Sequence, residues 1–205
     1  MTLHAVGTYG SHQGPVVVFL HGWGSDERDL ASLAQCVPAG VAWASVRAPL
    51  RHPSFGYAWY PLDSEQSWAE QGPIDAGTDA LWSWVDEELG EHADVIPVGF
   101  SQGGVMASQL LRTRPHRVPA AAVLSGYALA AAQQADAVLA QSLPPVFWGR
   151  GDRDAVIPGD AIAATDAVLP GIATIERHLY PGMAHQVSPQ ELHDLTGFLA
   201  RVARR

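Results

Sequence analysis

One pentapeptide carries the most chemistry in this chain. Gly99-Phe100-Ser101-Gln102-Gly103 is its single G-x-S-x-G run. Asp94 to Phe100 predicts a strand and Gln102 to Leu111 a helix, so Ser101 falls on the turn between them. Small flanking residues let such a turn close. They also present the serine Oγ at the end of a sheet, with a helix N-terminus aimed at the same point. A hydroxyl placed in this way suits nucleophilic attack on a carbonyl, with backbone N–H groups holding the oxygen that gains charge.

A serine hydroxyl needs a base to take its proton, and the base needs a carboxylate to orient it. For a serine on this kind of turn, the chain order is serine, acid, histidine. The histidines after Ser101 are His116, His178, His185 and His193. His185 lies in the turn-rich Tyr180-Pro181-Gly182-Met183-Ala184-His185-Gln186, after a predicted strand and before the last predicted helix, and is the expected base. His178 falls inside the strand, His193 inside the helix, and His116 in a loop on the opposite edge. For the acid, Asp152 and Asp154 compete in Gly151-Asp152-Arg153-Asp154-Ala155-Val156-Ile157-Pro158. Asp154, farther round the turn, is favoured. Asp152 is placed to brace that turn by accepting backbone hydrogens.

The developing oxyanion calls for two amides. One is expected from Gln102 and the other from Trp23, in the glycine-rich His21-Gly22-Trp23-Gly24 that follows the first clear strand. His21 reads as a structural hydrogen-bonder rather than a second base. Trp23, Tyr57, Trp59 and Met183 are expected to line an apolar acyl or aryl pocket. Residues 47 to 72 are rich in aromatics and lack regular period. A stretch of that length needs a reason in a compact domain, and lining a pocket is one.

The elements that must hold these groups alternate. Predicted strands start with the apolar run Val16–Leu20, then Val41–Val46, Asp94–Phe100, Ala121–Leu124, one beginning at Val146, and Thr174–Leu179. Between and after them, helical spacing of apolar residues predicts helices over Asp26–Val37, Asp75–Leu89, Gln102–Leu111, Ala130–Leu139, Pro158–Val168 and Pro189–Val202. In Asp75–Leu89, Trp84 falls off the apolar face and is expected to be partly exposed. Pro97 sits inside the strand that should be central, an unusual place for a residue without an N–H. The pattern implies an α/β fold: a mostly parallel sheet covered by helices on both faces, in a single domain over 1–205. The stretch between Ser125 and Pro144 leaves no room for a large cap domain.

Composition narrows the partners. A formal charge of −9 argues against nucleic-acid backbones and anionic membranes. The arginines cluster only at Arg112, Arg114 and Arg117 and at Arg201, Arg204 and Arg205, both read as helix ends. The single cysteine, Cys36, reads as buried filler. No metal and no cofactor is expected, because the histidines are scattered without ligand spacing. Met1 to Gly14 lacks a basic region followed by an apolar run, and no apolar stretch is long enough to span a membrane, so a cytoplasmic location is expected.

With these residues in hand, the sequence resembles the phospholipase/carboxylesterase branch of the α/β hydrolases, which includes acyl-protein thioesterase-like enzymes. The resemblance is carried by Leu20-His21-Gly22-Trp23-Gly24-Ser25-Asp26, Arg47-Ala48-Pro49, Trp59-Tyr60, Gly99-Phe100-Ser101-Gln102-Gly103-Gly104, Asp154-Ala155-Val156-Ile157-Pro158 and His185. Two departures stand out. The usual H-G-x-x-D around the acid lacks its histidine, Gly149-Arg150 leading into Gly151-Asp152-Arg153-Asp154, and Pro61-Leu62 separates the aromatic pair from Asp63. The resemblance implies Ser101, Asp154 and His185 as triad and the amides of Trp23 and Gln102 as oxyanion hole. It implies a serine carboxylesterase cleaving short- to medium-chain esters through an acyl-enzyme. A thioesterase or lysophospholipase is the alternative within the fold, and a non-catalytic binding protein the alternative outside it. A small-molecule ester is the expected partner, and a monomer or homodimer the expected state.

Overall fold

The structure is a computed structural model that describes residues 3–52, 54–64 and 68–203. Seven strands form one sheet in the order β1-β3-β2-β6-β7-β8-β9. These are β1 (Ala5–Gly7), β2 (Val16–Leu20), β3 (Trp43–Val46), β6 (Val95–Phe100), β7 (Ala121–Leu124), β8 (Pro145–Gly151) and β9 (Thr174–Tyr180). All neighbours are parallel except β1, which runs antiparallel to β3 at the edge. A two-stranded hairpin, β4 (Leu50–Arg51) and β5 (Tyr57–Ala58), stands apart.

Side chains alternate across each strand, so the central strands feed two cores. Val16, Val18 and Leu20 face one, with α1 (Gln71–Glu88), α2 (Gln102–Thr113), α3 (Asp136–Ser142) and α4 (Gly159–Ile172). Val17 and Phe19 face the other, with α5 (Pro189–Val202) and a 3₁₀ helix, Leu30–Cys36. Both faces of the sheet are covered, and among the described residues no large cap is inserted. This is the α/β-hydrolase fold. Strands buried on both sides explain the unbroken apolar run of β2.

Pro97 is accommodated by register. It pairs with Val18 of β2, but the ladder to β7 begins only at Val98. The proline therefore has no β7 residue opposite it.

Three expectations are corrected. The segment expected as a helix over 26–37 is a 3₁₀ helix limited to Leu30–Cys36. Ahead of it, Asp26 Oδ1 accepts from the Arg28 N–H at 2.8 Å and Ser25 Oγ donates to Asp29, so polar side chains compete with helical bonding there. The helix expected from Ala130 starts only at Asp136. The carbonyls of Leu129 and Ala131 accept from the buried Arg112 guanidinium, at 2.7 and 2.8 Å. Trp84 is buried, packed edge-on against Tyr9 at 5.6 Å, because the short β1 edge and the turn after it cover that side of α1.

The first arginine cluster forms no basic patch. Arg112 pairs with Asp136, and Arg114 and Arg117 pair with Asp86. Arg204 and Arg205 lie outside the described residues. Cys36 is buried, and among the described residues no helix is long and apolar enough to cross a membrane.

Candidate active site

Ser101 sits between β6 and α2 with φ 55° and ψ −118°, a conformation non-glycine residues rarely adopt. Packing enforces it. A Cβ on Gly99 would overlap the Gly103 carbonyl, and one on Gly103 would overlap the Leu20 carbonyl. Both positions need glycine for close approach, which lets α2 start directly against β6 and β2. The serine amide donates to Leu124 O at 2.9 Å, and Ser101 O accepts from Gly104 N at 2.9 Å. The strain is thus held by backbone bonds on both sides.

The carboxyl ends of β8 and β9 bring in the partners. Asp154 Oδ1 accepts from its own loop, from Val156 N at 2.9 Å and Ile157 N at 3.3 Å. Its Oδ2 lies 2.8 Å from His185 Nδ1, and His185 Nε2 lies 2.9 Å from Ser101 Oγ. A carboxylate only accepts, so Nδ1 carries the proton and Nε2 is left to accept from the serine hydroxyl. The Asp154 side chain is 1% exposed and that of His185 17%, so the acid is shielded while the ring edge reaches the cavity. The ring also packs on Phe100, with centroids 4.9 Å apart.

The two loops are tied together. Met183 O accepts from Arg153 N at 3.0 Å, and Asp152 Oδ1 accepts from Gly182 N at 2.6 Å. Asp152 therefore braces the loop that carries the histidine, while Asp154 contacts its ring. The other histidines lie elsewhere. His178 stacks on Phe147 in the sheet, and His193 and His116 are exposed.

Gln102 opens α2, so its own N–H, the first of the helix, has no intrahelical acceptor. Trp23 follows Gly22 on the loop after β2. His21, fully buried, is a structural bonder. Its Nε2 accepts from Ala48 N at 3.0 Å, and its Nδ1 lies 2.8 Å from Gly22 O. Accepting at Nε2 places the proton on Nδ1, and burial lowers the pKa of the ring, which keeps it neutral.

A cavity of about 390 Å³ opens beside Ser101 and His185, walled by Gly22, Trp23, Leu62, Trp68, Phe100 and Val156. Of Trp23, Tyr57, Trp59 and Met183, the structure places Trp23 in the wall of this cavity and the other three outside it. Tyr57 lies under the Arg47 guanidinium, 4.7 Å from its ring centroid. Trp59 is 1% exposed, its indole turned into the core, and Met183 is buried beneath the loop. Aromaticity alone could not separate inward from outward residues. The aromatic stretch does supply Leu62 and Trp68. Phe100 and Val156 lie inside motifs already singled out but had no signal of their own. A larger cavity, about 580 Å³, shares Trp68 with the first and is lined by small residues such as Ala128, Ala161 and Ala164. Among the described residues no group of three or more acidic, His or Cys side chains could hold a metal ion.

The phospholipase/carboxylesterase family profile matches residues 2–203. Among curated relatives, the acyl-protein thioesterase 1 of Kluyveromyces lactis is 25% identical over 214 residues, spanning 92% of each chain. That of Saccharomyces cerevisiae is 27% identical over 209 residues, 90% of this chain and 91% of the other. Among solved structures, esterase PE8 superposes with a TM-score of 0.78 at 26% identity, over 98% of this chain and 100% of the other. A Bacillus cereus carboxylesterase superposes with a TM-score of 0.83 at 19% identity, over 98% and 94%, a likeness of fold.

Proposed function

Because the chain belongs to the phospholipase/carboxylesterase family, we propose that it is an acyl thioesterase and esterase that works through Ser101. Family and fold mark a hydrolytic enzyme of the esterase or thioesterase type. The observation that carries the reading is the unbroken relay from Asp154 Oδ2 through His185 to Ser101 Oγ, with contacts of 2.8 and 2.9 Å.

His185 Nε2 takes the hydroxyl proton as Oγ attacks the acyl carbon. Asp154 holds the ring and stabilises the imidazolium. The N–H groups of Trp23 and Gln102 receive the oxyanion. The alcohol or thiol leaves with the proton from His185, and water, deprotonated by the same nitrogen, releases the acid. The apolar walls of the 390 Å³ cavity suit an acyl chain.

The thioester reading stands first, because the curated relatives matching over nearly their full length are acyl-protein thioesterases. Cleavage of short- to medium-chain oxygen esters is the second reading, favoured by the likeness to esterase PE8. The test is a chain-length series of p-nitrophenyl esters with matched acyl thioesters, using wild type and Ser101→Ala. Higher kcat/KM on thioesters, abolished in the variant, supports the first reading. Higher kcat/KM on esters moves the assignment to the second. Turnover that survives Ser101→Ala defeats both.

A further inference from the structure

Trp59 lies outside the substrate cavity, yet it touches both sides of the site. Its indole Nε1 donates to the carbonyl of His21 at 2.9 Å, and its backbone N donates to the side-chain Oε1 of Gln102 at 2.8 Å. The Gln102 amide completes a clamp by donating from Nε2 to Tyr60 O at 2.7 Å. Gln102 is 1% exposed and Trp59 equally buried. These bonds run through a buried interior, where each leaves a costly orphan if broken.

The two anchor points matter. The His21 carbonyl begins the peptide that leads through Gly22 to Trp23. The Gln102 side chain hangs from the residue whose own amide opens α2. Trp59 therefore bridges the two backbone segments that carry the proposed oxyanion donors. The same interface is tight on its other side, where a Cβ on Gly103 would come within 2.7 Å of His21 O. The His21 carbonyl is thus gripped between the start of α2 and the Trp59 indole. Behind Trp59, Gly77 of α1 is a glycine because a Cβ there would lie 2.8 Å from Trp59 O, so α1 closes on the bridge.

We propose that Trp59 is a positioning residue for the oxyanion hole, holding the amides of Trp23 and Gln102 in register through its indole and backbone N–H groups. The inference rests on the acyl-transfer reading above. It assigns no contact between Trp59 and substrate.

The test is Trp59→Phe, which keeps an aromatic ring and removes the indole N–H. Deleting an oxyanion donor outright lowers kcat by about 10²–10³, so a displaced pair of donors is expected to lower kcat by about 10- to 100-fold with KM within about twofold. Two inhibitors separate positioning from general loosening. In a trifluoromethyl ketone the carbonyl carbon accepts Ser101 Oγ while the proton passes to His185, leaving a hemiketal oxyanion. The matching methyl ketone binds mainly without that bond. The expected result is weaker binding of the first, in step with kcat/KM, and unchanged binding of the second. Gln102→Met, which keeps the backbone donor and cuts the other end of the bridge, should show the same split and serves if Trp59→Phe does not fold. Wild-type kcat in these variants, or equal weakening of both ketones, would overturn the inference. Turnover surviving Ser101→Ala in the same assay would instead bring down the hydrolase reading on which it depends.

Discussion

Glu191 should make this fold less stable as the pH rises, and Glu191→Gln should remove that dependence. The residue lies in the first turn of α5 and is fully buried. Its backbone N donates to Ser188 Oγ at 3.1 Å, but neither carboxyl oxygen has a hydrogen-bond partner among the described residues. The carboxyl rests against Gly149 of β8, where only a glycine leaves it room. Burial pushes its pKa from 4.5 up to about 8, and the charge of Asp194 adds to the rise. A carboxyl that holds its proton in the fold but releases it on unfolding contributes fully below pH 4.5, and that contribution is lost as pH rises toward 8. At about 1.36 kcal/mol per unit, the roughly 2.5 units between 4.5 and 7 cost the folded state about 3 kcal/mol. Glutamine keeps the shape and does not titrate. Urea unfolding of wild type and variant at pH 4.5 and 7 should therefore show the variant gaining about 3 kcal/mol relative to wild type between the two. Any fixed cost of burying the new amide cancels in that comparison. A wild-type-minus-variant difference that is the same at both pH values would refute the reasoning.

Other perturbations read different parts of the molecule. Gly103→Ala drives a methyl group into the Leu20 carbonyl, so α2 must move away from the loop that follows β2. Turnover should fall by at least about tenfold and stability by about 1–3 kcal/mol, measured by steady-state kinetics and urea unfolding. Glu27, fully buried, accepts from Arg47 Nε at 2.6 Å and Nη2 at 2.7 Å, and these bonds hold its pKa at about 2. A depressed carboxylate contributes stability above its ordinary 4.5 that is lost as pH falls toward 2. Glu27→Gln should thus be the weaker fold at neutral pH, with the gap to wild type closing by about 3 kcal/mol in acid unfolding curves. Trp68 walls both cavities, so Trp68→Ala should join them and move the preferred acyl chain to greater length in the p-nitrophenyl series. An unchanged chain-length optimum would show that the larger cavity takes no substrate.

The strand–turn–helix around Ser101 was legible from sequence because it is local. Glycines two residues either side of a serine answer a steric demand that arises within five residues, and the alternating apolar runs answer the periods of helix and strand. His185 and Asp154 were legible for a related reason: both sit on short loops directly after strands, and a parallel sheet gathers all such loops at one edge. What lies between those loops was decided in three dimensions. Nothing in the order Tyr57, Ala58, Trp59, Tyr60 tells which ring points outward. That is set by where the hairpin meets the loop after β2, where Tyr57 N donates to Ser25 O and Gly24 N donates to Tyr57 O, each at 2.8 Å. The same holds for the helix expected from Ala130. Alanine-rich sequence favours helix, but Arg112, far along the chain, takes the carbonyls of Leu129 and Ala131. Local sequence determined which groups are present and on which turns they ride. Long-range hydrogen bonds and burial, which no local pattern encodes, determined which side chains wall the cavity and which brace it from behind.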